Sequence, residues 1–361
     1  MTGTEKTETI VIKNIYWMLS YAFRVLDQSN YEHVKTEPFE HVVDLLAAIL
    51  AKGVAQQIKQ GLHREYIGKC EALPVIRGRI DMAETIRNRI RCRPEAVCAF
   101  DELSEDNTLN RILKTTMKAL LRTDGVRPER KSELKKNLVF FDGIGELPAL
   151  EIPWNRLHFR RSDRNYRMLV QICAMILDGM IRTTEKGKYR LAAFEEKNMP
   201  RLYEDFLLEY YRKHRPELNP EKKQIDWDYC GRENDRGKEF MPAMQTDIVL
   251  QKDGKVLIID AKYYGHILKA SCRNAREKLP SANLYQIFAY VKNMDTEPTG
   301  RVSGLLLYAK TMELNVPDCR CNIGGNIIAA QTLDLSTDFK LIRDRLDKIA
   351  DEFLDPPAAD S

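Results

Sequence analysis

This sequence lacks any run of about 18 consecutive apolar residues, which excludes an ordinary membrane-spanning helix. It also lacks a C-x-x-C pair. Its eight cysteines are scattered, only Cys319 and Cys321 fall within two positions of each other, and the thiols are read as reduced rather than as a zinc or disulfide framework. No G-x-x-x-x-G-K-[ST] run occurs, so nucleotide hydrolysis through a P-loop is excluded. The first nine residues are polar, contain Glu5 and Glu8 and lack the basic-then-apolar layout of a secretory signal, so a cytoplasmic location is expected. Net charge is scarce too: 57 Lys and Arg against 53 Asp and Glu leave +4. That is too little to name a partner, so the placement of the charges has to do it.

What the chain does hold is length enough for two domains and one strongly patterned stretch, Met244 to Tyr264. Two runs rich in β-branched and apolar residues flank Asp253-Gly254, a strong hairpin signal. With those two residues as the loop, Lys252 faces Lys255, and pairing carried outward sets Asp247 opposite Asp260. Side chains alternate along a strand, so Lys262 shares the face of Asp260 while Ile259 and Ala261 point the other way. Ile248, Leu250, Leu257, Ile259 and Ala261 make one face apolar, and Val249 with Ile258 makes the other apolar nearer the turn. The pair therefore stands at the end of a strand expected to be buried on both faces.

Opposed side chains on neighbouring strands have Cβ atoms roughly 4.5 to 5.5 Å apart, where like charges repel. Two aspartates kept there, at the end of a buried strand, are expected to need a cation. Converging carboxylates suit Mg²⁺, whose remaining shell is water and phosphate. An ammonium beside them can hold or deprotonate a water, or stabilise a phosphorane-like transition state. The local reading is metal-assisted phosphodiester hydrolysis; the alternative is a solvent-facing hairpin with ordinary strand-end charges.

Apolar residues at Ile15, Met18, Leu19, Ala22, Phe23 and Leu26 form one helical stripe. Phe39, Val42, Val43, Leu46, Ile49 and Leu50 form a second, which Gly61 is placed to end. Residues 62–81 read as extended pieces broken by Gly68, Pro74 and Gly78. They open a run of arginines, Arg77, Arg79, Arg87, Arg89, Arg91 and Arg93, either a solvated face or a surface for phosphate or an acidic partner. Asp106 or Asn107 is placed to cap a helix with Leu109, Ile112, Leu113, Thr116 and Leu120 inward. Residues 125–153 are expected to be irregular. A second basic cluster, Arg156, Arg160, Arg161, Arg164 and Arg167, marks the domain boundary and leads into a helix over 168–181. Beyond it the pattern predicts a helix over 199–214 carrying Glu204, then strands over 223–230, 242–250 and 255–264. A helix over 281–294, a strand over 302–309 and a closing helix with Phe339, Ile342, Leu346, Ile349 and Phe353 inward complete the order.

That order, with Glu204 on the helix, Asp247 on the second strand and Asp260-Ala261-Lys262 on the third, resembles the PD-(D/E)xK core of restriction and recombination nucleases. Gln286 and Tyr290 add the Q-x-x-x-Y spacing seen in several families of that fold. Ile15-Tyr16-Trp17-Met18-Leu19-Ser20-Tyr21-Ala22-Phe23, Arg77-Gly78-Arg79-Ile80, Asp260-Ala261-Lys262-Tyr263-Tyr264 and Asn283-Leu284-Tyr285-Gln286 look more closely like the McrC family. Members of that family are the nuclease subunits of McrBC modification-dependent restriction systems.

The resemblance implies an α/β chain with an α+β, partner-binding domain over residues 1–165 and a C-terminal αβββαβ endonuclease core over 166–361. It implies Mg²⁺-dependent cleavage of double-stranded DNA containing methylcytosine. Asp247 and Asp260 bind the metal in that scheme, with Glu204 as a third ligand; Lys262 positions or activates water, and Gln286 orients a ligand or the DNA backbone. It implies as partner an McrB-like AAA+ GTPase hexamer, which binds GTP and recognises the methylated base, and whose hydrolysis the McrC subunit stimulates. Arg77 and Arg79 are the candidates for the partner contact; Arg160, Arg161 and Tyr290 are further candidates for contacts to DNA or partner. Two alternatives stay open: an autonomous repair or recombination nuclease that cuts unmodified DNA alone, and a nonenzymatic GTPase activator that fails to bind Mg²⁺.

Overall fold

Helix α1 (Gly3–Ala22) opens the chain in the computed structural model, which describes residues 3–23, 26, 31–160, 163–181, 191–228, 239–263, 269–270, 277–310 and 316–355. Arg161, Tyr264 and the end of the strand expected over 223–230 lie outside the described residues. The buried stripe of α1 is Ile12, Ile15, Met18 and Leu19, and a one-turn helix α2 (Glu32–Thr36) follows. By contact the chain divides into two units: Met1–Val42 with Arg190–Ser361, and Val43–Tyr189. The single expected cut at 165/166 does not reproduce that division. Helix α1 groups with the C-terminal residues because Asn14 donates to the carbonyls of Leu335 and Thr337 (2.8 Å each) and Trp17 stacks on Phe339 at 5.1 Å.

In the unit Val43–Tyr189, helix α3 (Val42–Gln60) ends at Gly61 as its pattern predicts. Strands β1 (Glu65–Leu73), β2 (Arg79–Ile80) and β3 (Ala96–Ser104) form an antiparallel sheet in the order β1-β3-β2. Between β2 and β3 lies helix α4 (Met82–Ile90), started by Asp81, whose carboxylate accepts the Glu84 N–H. No residue of α4 is buried. Asn107 caps helix α5 (Thr108–Leu121) by accepting the Asn110 N–H, and all the predicted inner positions of α5 are buried. Residues expected to be irregular contain helix α6 (Pro128–Leu138), begun by a proline in its first turn and so polar that Leu134 is its one buried aliphatic residue. Helix α7 (Arg164–Ile181) packs on α5, and Tyr166 ties the two by donating to Asn110 at 2.9 Å.

The other unit is built on a mixed five-stranded sheet. Helix α8 (Leu191–His214) precedes the short strands β4 (Gln224–Ile225) and β5 (Met244–Gln245), then β6 (Ile248–Lys252) and β7 (Lys255–Tyr263). The β6–β7 hairpin has the predicted register, Lys252 opposite Lys255 and Ile248 opposite Ile259. Asp253 and Gly254 take φ values of +49° and +77°, the two positive angles that a type I′ turn demands. After the two-residue strands β8 (Lys269–Ala270) and β9 (Glu277–Lys278), helix α9 (Ser281–Met294) crosses over to β10 (Val302–Lys310), which pairs parallel to β7. Gly304 on β10 lets α9 approach, since a Cβ there would lie 2.7 Å from Ile287 and 2.8 Å from Val291. Two strands absent from the expected order, β11 (Cys319–Ile323) and β12 (Asn326–Asp334), extend the sheet to β11-β12-β10-β7-β6. Helix α10 (Phe339–Leu354) closes the chain with the predicted Ile342, Leu346, Ile349 and Phe353 buried.

No described helix is long and apolar enough to cross a membrane. Cys70, Cys92, Cys98, Cys173, Cys319 and Cys321 are free thiols.

Candidate active site

Asp247 lies between β5 and β6, where pairing to the preceding strand slips by one residue. Gln224 faces Gln245 and Thr246 receives the Lys223 segment, whereas Glu221 bridges Val249. Asp247 and Ile248 therefore stand opposite the single residue Lys222, a β-bulge of the kind that re-aims side chains. Buried Thr246 secures it: its hydroxyl accepts the Lys223 N–H at 3.0 Å and donates to the Lys223 carbonyl at 2.9 Å.

From this position Asp247 reaches across the hairpin and accepts the backbone N–H of Ala261 at 2.8 Å, next to Asp260. Asp260 is 2% exposed, which removes the alternative of a solvent-facing strand end. Lys262 Nζ lies 2.7 Å from Asp260 Oδ2 and donates to Gln286 Oε1 at 3.2 Å. Gln286 Nε2 in turn donates to the Tyr290 hydroxyl at 2.9 Å, and that hydroxyl donates to the Gln245 carbonyl at 3.1 Å. The hydrogen-bonded path thus runs from Lys262 through α9 to the residue two before Asp247. Glu204 comes from α8, and Lys222 Nζ lies 3.9 Å from its Oε2 and 3.5 Å from Asp205 Oδ1.

The carboxylates are crowded. Burial pushes Glu204 up to about 7, and the charge of Asp247 adds to it. Burial lifts Asp260 to about 6 against the pull of Lys262. Burial also raises Asp247, opposed by the Ala261 N–H and then by Lys262 and Lys222. Neighbouring acids whose protons are all held too tightly mark a place short of positive charge. Asp260 Oδ2 is buried without a well-directed hydrogen-bond donor among the described residues, even with the ammonium at ion-pair distance. Hard oxygens with spare lone pairs fit a divalent cation. Among the described residues no three Asp, Glu, His or Cys side chains close on a common point. The three expected ligands Glu204, Asp247 and Asp260 therefore do not form a cage; Asp247 and Asp260 are neighbours, and Glu204 lies within electrostatic reach of Asp247. One or two carboxylates are what Mg²⁺ ordinarily takes from a protein.

Tyr290, expected to contact DNA or partner, is instead 7% exposed and supports Gln286 from behind. Tyr263 is buried and packs edge-on to Tyr203. Lys222 and Thr246 were not singled out by sequence reasoning. The adjacent Lys222-Lys223 after Pro220 is the one signal they leave, and the bulge that gives it meaning is invisible in a string of letters.

The predicted arginines belong to the unit Val43–Tyr189. Arg77 stacks on Phe100 at 4.2 Å and sits 3.7 Å from Glu102. Gly78 between Arg77 and Arg79 has φ +68°, and a Cβ there would meet the Ala99 carbonyl at 2.5 Å, so the Arg-Gly-Arg turn tolerates no other residue at its centre. Arg87, Arg89, Arg91 and Arg93 are exposed, as are the interspersed Tyr66, Val75, Ile76, Ile86, Ile90 and Leu103. Apolar side chains displayed among arginines have the composition of a protein-binding surface. Arg160 is exposed, and its N–H is accepted by Asp163 at 2.9 Å.

A family model described as McrBC 5-methylcytosine restriction system component matches residues 5–309. The type IV methyl-directed restriction enzyme EcoKMcrBC of Escherichia coli (strain K12) is 33% identical over 347 residues, covering 96% of this chain and 98% of that protein. Among solved structures, the refined half-complex from a tetradecameric assembly of Thermococcus gammatolerans McrB AAA+ hexamers with bound McrC matches with a TM-score of 0.52. It does so at 19% identity, over 94% of this chain and 76% of that one, which speaks for the fold. A family match over most of the length and a relative aligned almost end to end place the chain: it belongs to the family of McrBC 5-methylcytosine restriction system components.

Proposed function

We propose that this chain is the Mg²⁺-dependent DNA endonuclease subunit of a GTP-dependent restriction system, cutting double-stranded DNA that contains methylcytosine through a PD-(D/E)xK site. The observation that carries the reading is the buried Asp260, with Lys262 Nζ 2.7 Å from its Oδ2 and the half-buried Asp247 bonded to the adjacent Ala261 N–H, set on a strand end where the electrostatic cost calls for a function. The identity to a methyl-directed restriction enzyme supports the substrate class.

Asp247 and Asp260 hold the cation, and Glu204 faces the same space. A divalent ion there supplies positive charge to the phosphoryl oxygens and makes water a stronger acid. Lys262 holds the attacking water or a non-bridging oxygen by its ammonium protons, and Gln286 fixes the position of that ammonium. Tyr290 fixes Gln286, so the lysine arrives already aimed rather than searching rotamers at the moment of reaction. Burial of Asp260 keeps bulk water from that side of the site and strengthens the interactions it makes.

GTP is bound by a partner, an McrB-like AAA+ GTPase hexamer, because this sequence carries no P-loop. The solved assembly of similar fold pairs McrC with such hexamers. Arg77 and Arg79, on a surface with exposed apolar side chains, are the residues we assign to that partner; Arg160 and Arg161 serve DNA or partner. The location is cytoplasmic, where the DNA and reduced thiols are. The test is cleavage of cytosine-methylated plasmid by this chain with its GTPase partner, GTP and Mg²⁺, with Asp260→Ala as control. Cleavage that needs every component and disappears in the variant upholds the proposal. Cleavage of unmodified DNA without the partner overturns it in favour of an autonomous nuclease, and stimulated GTP hydrolysis without cleavage overturns it in favour of an activator.

A further inference from the structure

Two ammonium groups, Lys262 and Lys222, bear on the acidic cluster of Glu204, Asp247 and Asp260. The bulge sets Lys222 directly across from Asp247, and its ammonium lies 3.9 Å from Glu204 and 3.5 Å from Asp205. Its backbone is held on both sides, by the Glu221–Val249 bridge and by the Thr246 clamp on Lys223, so the placement belongs to the fold and not to a wandering surface side chain. Glu204 and Asp247 repel one another, and Lys222 and Lys262 offset both, Lys222 acting more strongly than Lys262 on Glu204. Lys262 is already committed to Asp260 and Gln286.

Two carboxylates facing one another beside a first metal position are where a second divalent ion would enter in a two-metal phosphodiesterase. Here an ammonium stands at that edge. We propose that Lys222 takes the place of a second divalent cation, so that the nuclease pocket holds one metal ion and not two; the inference rests on the nuclease reading above. Lys222 is thus a positioning residue: it fixes the number of ions without touching the scissile bond.

The experiment is a titration of the full-length chain with Mn²⁺, with stoichiometry read by calorimetry and by the electron spin resonance of free Mn²⁺. Wild type is expected to bind one ion, Lys222→Met two, Lys222→Arg one, and the double variant Lys222→Met with Glu204→Gln one. Lys222 is about a third exposed and makes no buried ion pair, and the arginine variant with its retained charge separates loss of charge from loss of fold. Two ions on wild type, or one ion on Lys222→Met, overturns the inference while the nuclease reading stands. No ion on wild type overturns both. Loss of the single ion in Asp260→Asn ties it to the Asp247 and Asp260 pair and upholds both.

Discussion

The two units treat charge in opposite ways. In the unit with Arg190–Ser361, acids and a lysine are drawn inward to the end of a central strand, where burial lifts Asp260 to about 6 and leaves it 2% exposed. In Val43–Tyr189, the arginines from Arg77 to Arg93 are displayed on a thin sheet and on α4, a helix that buries nothing. An exposed arginine costs little and is weak evidence by itself. A buried cluster of acids costs several kcal/mol and is retained only where something repays it. Chemistry is therefore read from the charges a fold buries at a loss, and recognition from the apolar residues it leaves exposed among its charges.

The sharpest way to break that contrast is to remove one buried acid. Asp260→Ala is expected to lower DNA cleavage by about a thousandfold or more, since metal-borne stabilisation is worth several kcal/mol. Stimulation of the partner's GTP hydrolysis should stay within twofold of wild type, roughly the scatter expected for an uncoupled site. A parallel loss of stimulation in a chain that keeps its circular dichroism would end the division of labour between the units.

The same acid gives the next largest effect, on stability. Its carboxyl titrates near 3.8 when unfolded and at about 6 when folded, so between those values the native chain binds the extra proton. The stabilisation is complete below about pH 4 and is lost as pH rises through 6, for a difference on the order of 2 to 3 kcal/mol. Metal-free protein should therefore melt higher at pH 5 than at pH 8. Asp260→Asn should flatten the profile, and saturating Mg²⁺ should restore the wild type at pH 8. A wild-type melting temperature that rises from pH 5 to 8 without metal would show that the acids are not crowded.

How far the sequence reached follows the same physics. The β6–β7 register was readable because a two-residue turn and a period of two fix it locally; the ladder stops at Ile248 opposite Ile259, so Asp247, expected opposite Asp260, meets the Ala261 N–H instead, and the Lys262–Gln286 contact needs helix α9 packed on the sheet. Gly324-Gly325 offers the same turn for β11 and β12, with Ile323 opposite Asn326, but Cys319 to Ile323 is exposed and lacks the apolar face that marks a strand in sequence. Helix α6 escaped because propensity and a first-turn proline make it, while periodicity reads only buried stripes. The membership of α1 in the C-terminal unit rests on Asn14 and Trp17 meeting residues more than 300 positions away, which no local pattern encodes. Lys222 depends on a one-residue slip that arises only once β4, β5 and β6 are paired.

On the displayed side, Arg77→Ala with Arg79→Ala should weaken partner binding and its GTPase stimulation roughly thirtyfold, about 2 kcal/mol, as expected for arginines at the heart of an interface. Mn²⁺ binding by the same variant should match wild type. Normal stimulation would move the partner surface off the Arg-Gly-Arg turn, and altered metal binding would mean that the contrast drawn between the units is false.

The smallest expected effect separates support from contact within the buried site. Tyr290→Phe removes the hydroxyl that holds Gln286 and satisfies the Gln245 carbonyl, while the ring stays in the core beneath α9. A hydrogen bond of this kind is worth about 1 kcal/mol net, or roughly fivefold in rate. Because the ring is 7% exposed, the loss should fall on kcat through a less well aimed Lys262, with KM for methylated DNA unchanged. Gln286→Ala, which frees the lysine directly, should lose more, about tenfold, in the same parameter. A rise in KM for either variant, with kcat kept, would instead make α9 a surface that grips DNA, and the path from Lys262 to Gln245 would be packing without a catalytic consequence.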